Sequence, residues 1–546
     1  MLTEPRWRYR LLLGLILLVT AAMYLGALDR MPLIDRDEPR YAQASRQMLV
    51  SGDWVVPYYL DELRIVKPVG IYWIQAISMS VFGDTQAAAR LPSALAMLCV
   101  LGLMGMALPE VIGRVRAALA VLIAGTSLLV AYIARVAMTD AVLMLPITGA
   151  MFGLYAFWRG HRTWSLAVLM GLCLGASTII KGPILVFYLM ATVLGLLILR
   201  WTNRPQLQHK LGSVDAESSA FRSIGAAVLV IGIALAILLP WLLRIEARIP
   251  GYAFGTASKE IVARGKSAME GHSGPPGFYA ILIWVTLFPW AIFLPAAIVN
   301  AWKRRHVPMI RFALAAVVAC WIPLEIYQTK LPHYLLPIYP FLAILIADAV
   351  VRAMRGRLGD LSDAPFRITA LVASFAVAIG MLLMLIVPPA LIGQQPWTIY
   401  LRGVLIAIPL GAMAVLAGRL LYTKNLRAAV PVMALGSVAS FLLITHFYAP
   451  HARFLTLSRD VGESLLKHLP EGEHAWMIDY KEPSLAFHAR GRVREQSNEK
   501  FYETIPTSDW PVMLITTQRH WQGVPENVRS TFTEVARHRG ISLGAP

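Results

Sequence analysis

The feature that most limits what this chain can become is a succession of long apolar blocks, among them Leu11–Leu28, Ile224–Leu239 and Ile368–Val387. An α-helix rises about 1.5 Å per residue, so a block approaching about 20 residues crosses a hydrocarbon core of roughly 30 Å. Only 15% of the 546 residues are charged and 57% are hydrophobic. That is too little charge to cover the surface of a soluble globular protein. The blocks predict an all-α polytopic membrane protein with about 13 transmembrane helices. The first block, preceded by Arg6, Arg8 and Arg10, runs on to Leu28. It is too long for a signal-peptide core and reads as an uncleaved first span.

Basic residues fall in every second loop: Arg114 and Arg116; Arg159 and Arg162; Arg200, Arg204 and Lys210; Lys303, Arg304 and Arg305; Arg352, Arg355 and Arg357; Lys424 and Arg427. The positive-inside rule places these loops and the N-terminus in the cytoplasm. An odd number of spans then puts the C-terminus outside, in the periplasm of a bacterial inner membrane. The opposite loops are long, charged and aromatic. Residues 29–92 form the first periplasmic loop, Arg244 to Gly277 another, and short loops surround Asp140, Lys181 and Lys330. Within the first loop Pro68–Phe82 is too short for a span and reads as a juxtamembrane, interfacial or re-entrant helix. The net charge of +18 is scattered through loops. It suits contact with anionic membrane lipids and forms no nucleic-acid patch. Cys99, Cys173 and Cys320 lie in apolar segments without metal-site spacing and read as small buried hydrophobes.

From His451 the apolar blocks stop. Strand-like runs at Ala475–Ile478 and Val512–Thr516 alternate with helix-like ones at Pro483–Ala489 and Val524–Arg539. Residues 1–450 therefore read as the transmembrane domain, and 451–546 as a small periplasmic α/β domain.

Charge on the outer face marks the candidate site. Pro39 predicts a helix start with Glu38 as N-cap, and Ser51-Gly52 a stop. Tyr41, Ala44, Ser45, Met48 and Leu49 share one face of this interfacial helix, with Arg40, Gln43 and Gln47 turned away. Asp37 and Glu38 could merely cap it. An acidic pair one turn beyond a span, beside Arg36 and Arg40, is costly unless used, which favours a working role for Asp37. Asp140, after Met138-Thr139, is either a helix cap or a second acid on the same face. Lys67-Pro68, before Tyr72 and Trp73, is either a snorkelling lysine in an aromatic belt or a phosphate contact. Tyr327-Gln328-Thr329-Lys330-Leu331-Pro332-His333-Tyr334 packs polar groups into a short turn, while Arg244, Arg248, Arg264 and Lys266 bring positive charge to the long outer loop. Cations on this face run against the insertion bias, and an anionic ligand such as a prenyl or headgroup phosphate accounts for them.

Asp37-Glu38-Pro39-Arg40-Tyr41, followed by Lys67-Pro68 and its aromatic run, resembles the C-type membrane glycosyltransferases, in the branch that holds protein O-mannosyltransferases and the bacterial 4-amino-4-deoxy-L-arabinose transferase of lipid A. Lys330-Leu331-Pro332-His333-Tyr334-Leu335-Leu336-Pro337 is similar to that branch's lysine-to-proline turn and narrows the likeness towards the aminoarabinose transferase. The resemblance implies a sugar donor carried on undecaprenyl phosphate and an acceptor, lipid A or a related glycolipid, at the outer leaflet. It implies Asp37 as catalytic acidic residue, Asp140 as its companion and Lys67 as a donor-phosphate contact. Glu38, Arg40, Tyr41, Tyr327, Lys330, His333, Arg248 and Arg264 are the further substrate-binding candidates.

On this reading the leaving group is a prenyl phosphate whose growing charge lysine and arginine stabilise most in the transition state. A hydroxyl acceptor needs Asp37 as base; a phosphate acceptor, with a second pKa near ~6, is already ionised. Direct displacement predicts inversion at the anomeric carbon. No metal-binding motif is present. Asp37, Glu38, Asp140 and His333 could hold a divalent ion if their loops converge, yet no cofactor is expected to be required. A monomer is expected. The alternatives are the same enzyme class with a protein hydroxyl or other glycolipid as acceptor, and a polyprenyl-lipid flippase or transporter, which would place its charges near the midplane.

Overall fold

The computed structural model describes residues 5–33, 37–201, 216–257, 274–357, 363–392, 395–496 and 511–539; for residues 201, 216–222, 256, 257 and 364 it describes the backbone alone. Ten of the described helices are long and apolar enough to cross a membrane, and two shorter apolar ones, Gly70–Phe82 and Ile184–Arg200, accompany them. The chain is a multi-span membrane protein. It opens with α1 (Arg6–Leu25), α2 (Asp37–Ser51), α3 (Gly70–Phe82), α4 (Gln86–Ala107) and α5 (Pro109–Ile112). There follow α6 (Arg114–Thr126), α7 (Leu128–Ile133), α8 (Thr139–Trp158), α9 (Trp164–Lys181) and α10 (Ile184–Trp201).

Local chemistry sets the helix ends. Thr85 accepts a hydrogen bond from Ala88 N at 3.1 Å and Thr163 from Leu166 N at 3.3 Å, satisfying amide groups that a helix start leaves open. α9 stops at Gly182, whose φ of 75° is a conformation that favours glycine. Between spans, glycine permits close approach and tyrosine ties the backbones. Tyr9 Oη donates to Gly105 O and Tyr24 Oη to Gly125 O, each at 2.6 Å, fixing α1 on α4 and α6. A buried hydroxyl in hydrocarbon must find such a carbonyl, because no water competes for it.

The first outer loop is α2, a short antiparallel pair (β1, Tyr58–Tyr59; β2, Glu62–Leu63) and α3. The sequence reading turned Gln43 of α2 away from the packed face, and the structure corrects this. Gln43 and Arg46 are buried along with Tyr41, Ala44, Ser45 and Met48, because the C-terminal segment covers the second face. Arg46 donates to the Phe487 carbonyl at 2.6 Å, lies 3.8 Å over the Phe487 ring, and pairs with Asp84 at 2.7 Å.

That C-terminal segment holds a parallel sheet in the order β4-β3-β5, with β3 at Ala475–Met477, β4 at Val493–Glu495 and β5 at Leu514–Ile515. The helix Pro483–His488 crosses from β3 to β4, as parallel pairing requires. Its core of Leu465, Ala475, Met477, Leu485 and Val493 includes Tyr59 of the first outer loop, so loop and segment share one interior. The expected helix over Val524–Arg539 is reduced to Glu526–Arg529. Ser530-Thr531-Phe532-Thr533 follows it, a run of weak helix formers.

Candidate functional site

Two ionic clusters meet beside α2. At its N-terminus Asp37 faces the Arg64 guanidinium at 3.7 Å, and its side chain is 34% exposed. Arg64 also lies 5.4 Å over the Tyr41 ring, which in turn tilts against Tyr72 at 5.8 Å. The second cluster joins three helix ends. Asp140, in the first turn of α8, receives Lys181 Nζ from the end of α9 at 2.6 Å and the Thr139 hydroxyl at 3.0 Å. His333 Nε2 stands 3.7 Å away, in the 3-10 turn Pro332–Ile338. The Asp140 side chain is only 9% exposed, so of the two carboxylates Asp37 is the one open to a ligand.

Tyr41 lies between the clusters. Burial first, then the charges of Asp37, Tyr72 and Asp140 against the opposing pull of Arg64, push its phenol well above the ordinary range and keep it protonated. Lys181 likewise feels Asp37 as well as Asp140, and its ammonium lies 5.0 Å from the Tyr334 ring. Asp37 and Asp140 thus act on the same neighbours.

Residues 15–253 match the family model described as dolichyl-phosphate-mannose-protein mannosyltransferase. A Proteus mirabilis protein named undecaprenyl phosphate-alpha-4-amino-4-deoxy-L-arabinose arabinosyl transferase 2 is 31% identical over 353 residues, 63% of this chain and 60% of its own length. The arabinosyl transferase of Pseudomonas paraeruginosa is 30% identical over 351 residues, again 63% of this chain and 60% of its own length. The chain therefore spans 60% of the length of these curated relatives. A crystal structure of ArnT from Cupriavidus metallidurans bound to undecaprenyl phosphate superposes with a TM-score of 0.74 at 20% identity, covering 96% of each chain. The chain shares the ArnT fold. The resemblance read from the sequence, to the branch holding protein O-mannosyltransferases and aminoarabinose transferases, is borne out.

Within this ArnT fold the remaining candidates have distinct positions. Glu38 departs from expectation as a substrate contact: it is 2% exposed, with both oxygens on Arg90 at 2.7 and 2.9 Å and Ala137 N donating at 2.8 Å. Lys330 departs too. Its ammonium donates to the carbonyls of Leu324, Glu325 and Tyr327 at 2.9–3.0 Å, capping the end of the helix Pro308–Ile326. Arg248 reaches Asp53 at 2.8 and 2.9 Å, at an exposed edge. Arg40, half-buried on α2, turns its charge towards Tyr59 and Glu495. Tyr327 caps the same helix end as Lys330, and Lys67 is half-buried just before α3. Arg36, Arg264 and Lys266 lie outside the described residues.

The four candidate metal ligands do not gather. Glu38 is committed to Arg90, and among the described residues no group of three or more His, Cys, Asp or Glu is placed to share an ion. An apolar cavity of about 680 Å³ lies elsewhere, behind the Glu38–Arg90 pair, walled by Leu129, Phe288, Met384, Phe441 and Leu455.

Three participants escaped the sequence reading. Arg64 stood unremarked in the first loop, and Lys181 was placed on the outer face without a role. The signal for Lys181 was Lys181-Gly182-Pro183 closing an apolar block, a lysine ahead of a proline as in Lys67-Pro68 but with a glycine between. Arg90 sits inside an apolar helix and carried no signal beyond its own cost.

Proposed function

We propose that this protein transfers 4-amino-4-deoxy-L-arabinose from undecaprenyl phosphate to a phosphate of lipid A, at the periplasmic face of the inner membrane and with inversion. The observation that carries this reading is the partly open Asp37 carboxylate on Arg64, set beside the buried Asp140–Lys181–His333 cluster. The relatives of known name, and the fold shared with a structure that binds undecaprenyl phosphate, support the donor.

The acceptor phosphate oxygen attacks the anomeric carbon as the bond from that carbon to the prenyl phosphate breaks. The electron pair leaves with undecaprenyl phosphate, and one phosphoester replaces another without net change in protonation. The resemblance assigns the arriving donor phosphate to Lys67, which stands just before α3 in the same loop as Arg64. Charge grows on this phosphate towards the transition state, where lysine and arginine stabilise it most. Asp37 holds the amino group of the sugar and orients the acceptor. No metal is required. The chain acts as a monomer with thirteen spans, its N-terminus cytoplasmic and its C-terminal α/β unit periplasmic.

The test is transfer by purified protein from undecaprenyl-phosphate-linked aminoarabinose to lipid A, followed by mass spectrometry. Asp37→Asn is expected to lower the rate about 10²-fold through lost positioning while undecaprenyl phosphate still binds. Unchanged transfer in that variant, or retention of configuration in the product, overturns the mechanism. The mannosyltransferase family match favours one second reading, a protein hydroxyl as acceptor. Labelled peptide in place of labelled lipid A in the same assay is its signature.

A further inference from the structure

At the end of the bundle opposite Asp37, arginines outnumber carboxylates among the described residues. Asp348, 2% exposed near the end of the helix Tyr339–Met354, forms an ion pair with Arg116, whose Nε stands 2.8 Å away, and accepts hydrogen bonds from Asn300 Nδ2 at 2.9 Å and from Arg304. Arg352 follows one turn later, close enough to feel Arg304, Arg116 and Arg357. Its Nη2 donates to the Arg357 carbonyl at 3.2 Å, and its buried Nε meets no hydrogen-bond acceptor among the described residues. Desolvation, then the charges of Arg116 and Arg357, hold the Arg355 guanidinium below its usual range. Arg116 and Arg304 thus share one carboxylate, and Arg352, Arg355 and Arg357 bring three further charges up to that pair.

The insertion bias explains why basic residues lie in these loops. It does not explain their convergence, since like charges repel and an unpartnered buried donor costs free energy. A fixed counter-anion removes both costs. The spot is where α6 begins and where the helices Leu294–Lys303 and Tyr339–Met354 end, at the headgroup level of a bilayer. Trp302, 53% exposed, stands beside it like a residue of an interfacial aromatic belt.

We propose that Arg116, Arg304, Arg352, Arg355 and Arg357 form a binding site for the phosphate headgroup of an anionic phospholipid, on the membrane face away from the sugar-transfer site. The guanidiniums donate charge-assisted bonds to the phosphodiester, and the exposed Arg357 closes over it. Nothing in this site depends on the transfer reaction.

The test uses the full chain, delipidated in detergent and placed in nanodiscs of phosphatidylcholine with a minor share of phosphatidylglycerol. Native mass spectrometry then reads the lipid retained on release. The parent is expected to retain phosphatidylglycerol over phosphatidylcholine, and R355Q/R357Q to lose about thirtyfold of that preference. R355K/R357K should restore most of it. Thermal unfolding in pure phosphatidylcholine discs checks that the variants fold, and R357Q alone serves if the double variant does not. Equal retention by parent and variants, no preference in the parent, or full displacement by millimolar inorganic phosphate overturns the proposal.

Discussion

Arg90 accounts for the way the first outer loop is held. It makes five hydrogen bonds, two to Glu38 and one each to the carbonyls of Leu28, Met31 and Pro32, at 2.6–3.0 Å. Removing one partner of such a pair strands the other, so Arg90→Met is expected to destabilise the protein by about 3–5 kcal/mol. Glu38→Leu in the same chain should return most of that loss, though not all, because Ala137 N loses its acceptor. Chemical unfolding in nanodiscs measures both; a double variant no better than Arg90→Met contradicts the pairing. At His488, burial first and then the charges of Arg459, Arg46 and Arg90 push the imidazole from 6.5 down to about 3. Its folded pKa is depressed, so between those values the unfolded chain binds the extra proton. The stabilisation is complete above about pH 6.5 and falls on acidification, by about 1.4 kcal/mol per pH unit. His488→Gln should flatten the acid limb of the unfolding curve relative to the parent. None of these roles was legible in the sequence. Glu38 read as a ligand because its partner lies 52 residues away, in the stretch read as the end of the same loop, where nothing in the pattern pairs the two.

Elements were legible where period and length speak together. The ten described spans followed from apolar length, and α2 from Pro39 and Ser51-Gly52. The hidden face of α2 was not legible, because the strands and helix that cover it come from the far end of the chain. β4 was missed because Val493-Arg494-Glu495 carries a single apolar side chain, and only pairing with Ala475–Met477 makes it a strand. Lys330 read as a ligand because a helix end whose carbonyls lack donors is invisible in one dimension; in the fold three such carbonyls claim its ammonium. Glycines within spans divide in a similar way. A Cβ at Gly175 of α9 would lie 2.6 Å from Ile237 Cδ1 and 3.2 Å from Ala234 Cα of the neighbouring span, whereas one at Gly232 meets open space. Gly175→Leu should therefore cost about 1–3 kcal/mol through overpacking, and Gly232→Leu nothing. Equal unfolding midpoints for the two would contradict this packing of α9.

At the scale of the molecule, charge asymmetry gave the proposed orientation before any coordinates. A cysteine at Gly160, in the basic Arg159–Arg162 loop, should stay unlabelled by an impermeant maleimide in spheroplasts, while one at Gly472 should react. Labelling in the reverse sense would turn the protein over in its membrane. The C-terminal segment's hold on α2 carries a consequence for how the protein matures. Arg46 leaves the ribosome 441 residues before Phe487, the group that finally seats it. Every span can be threaded into the bilayer while the helix bearing Asp37 still waits for its second wall. Until then Arg46 has neither the carbonyl nor the ring that hold it, and α2 is seated on one face only.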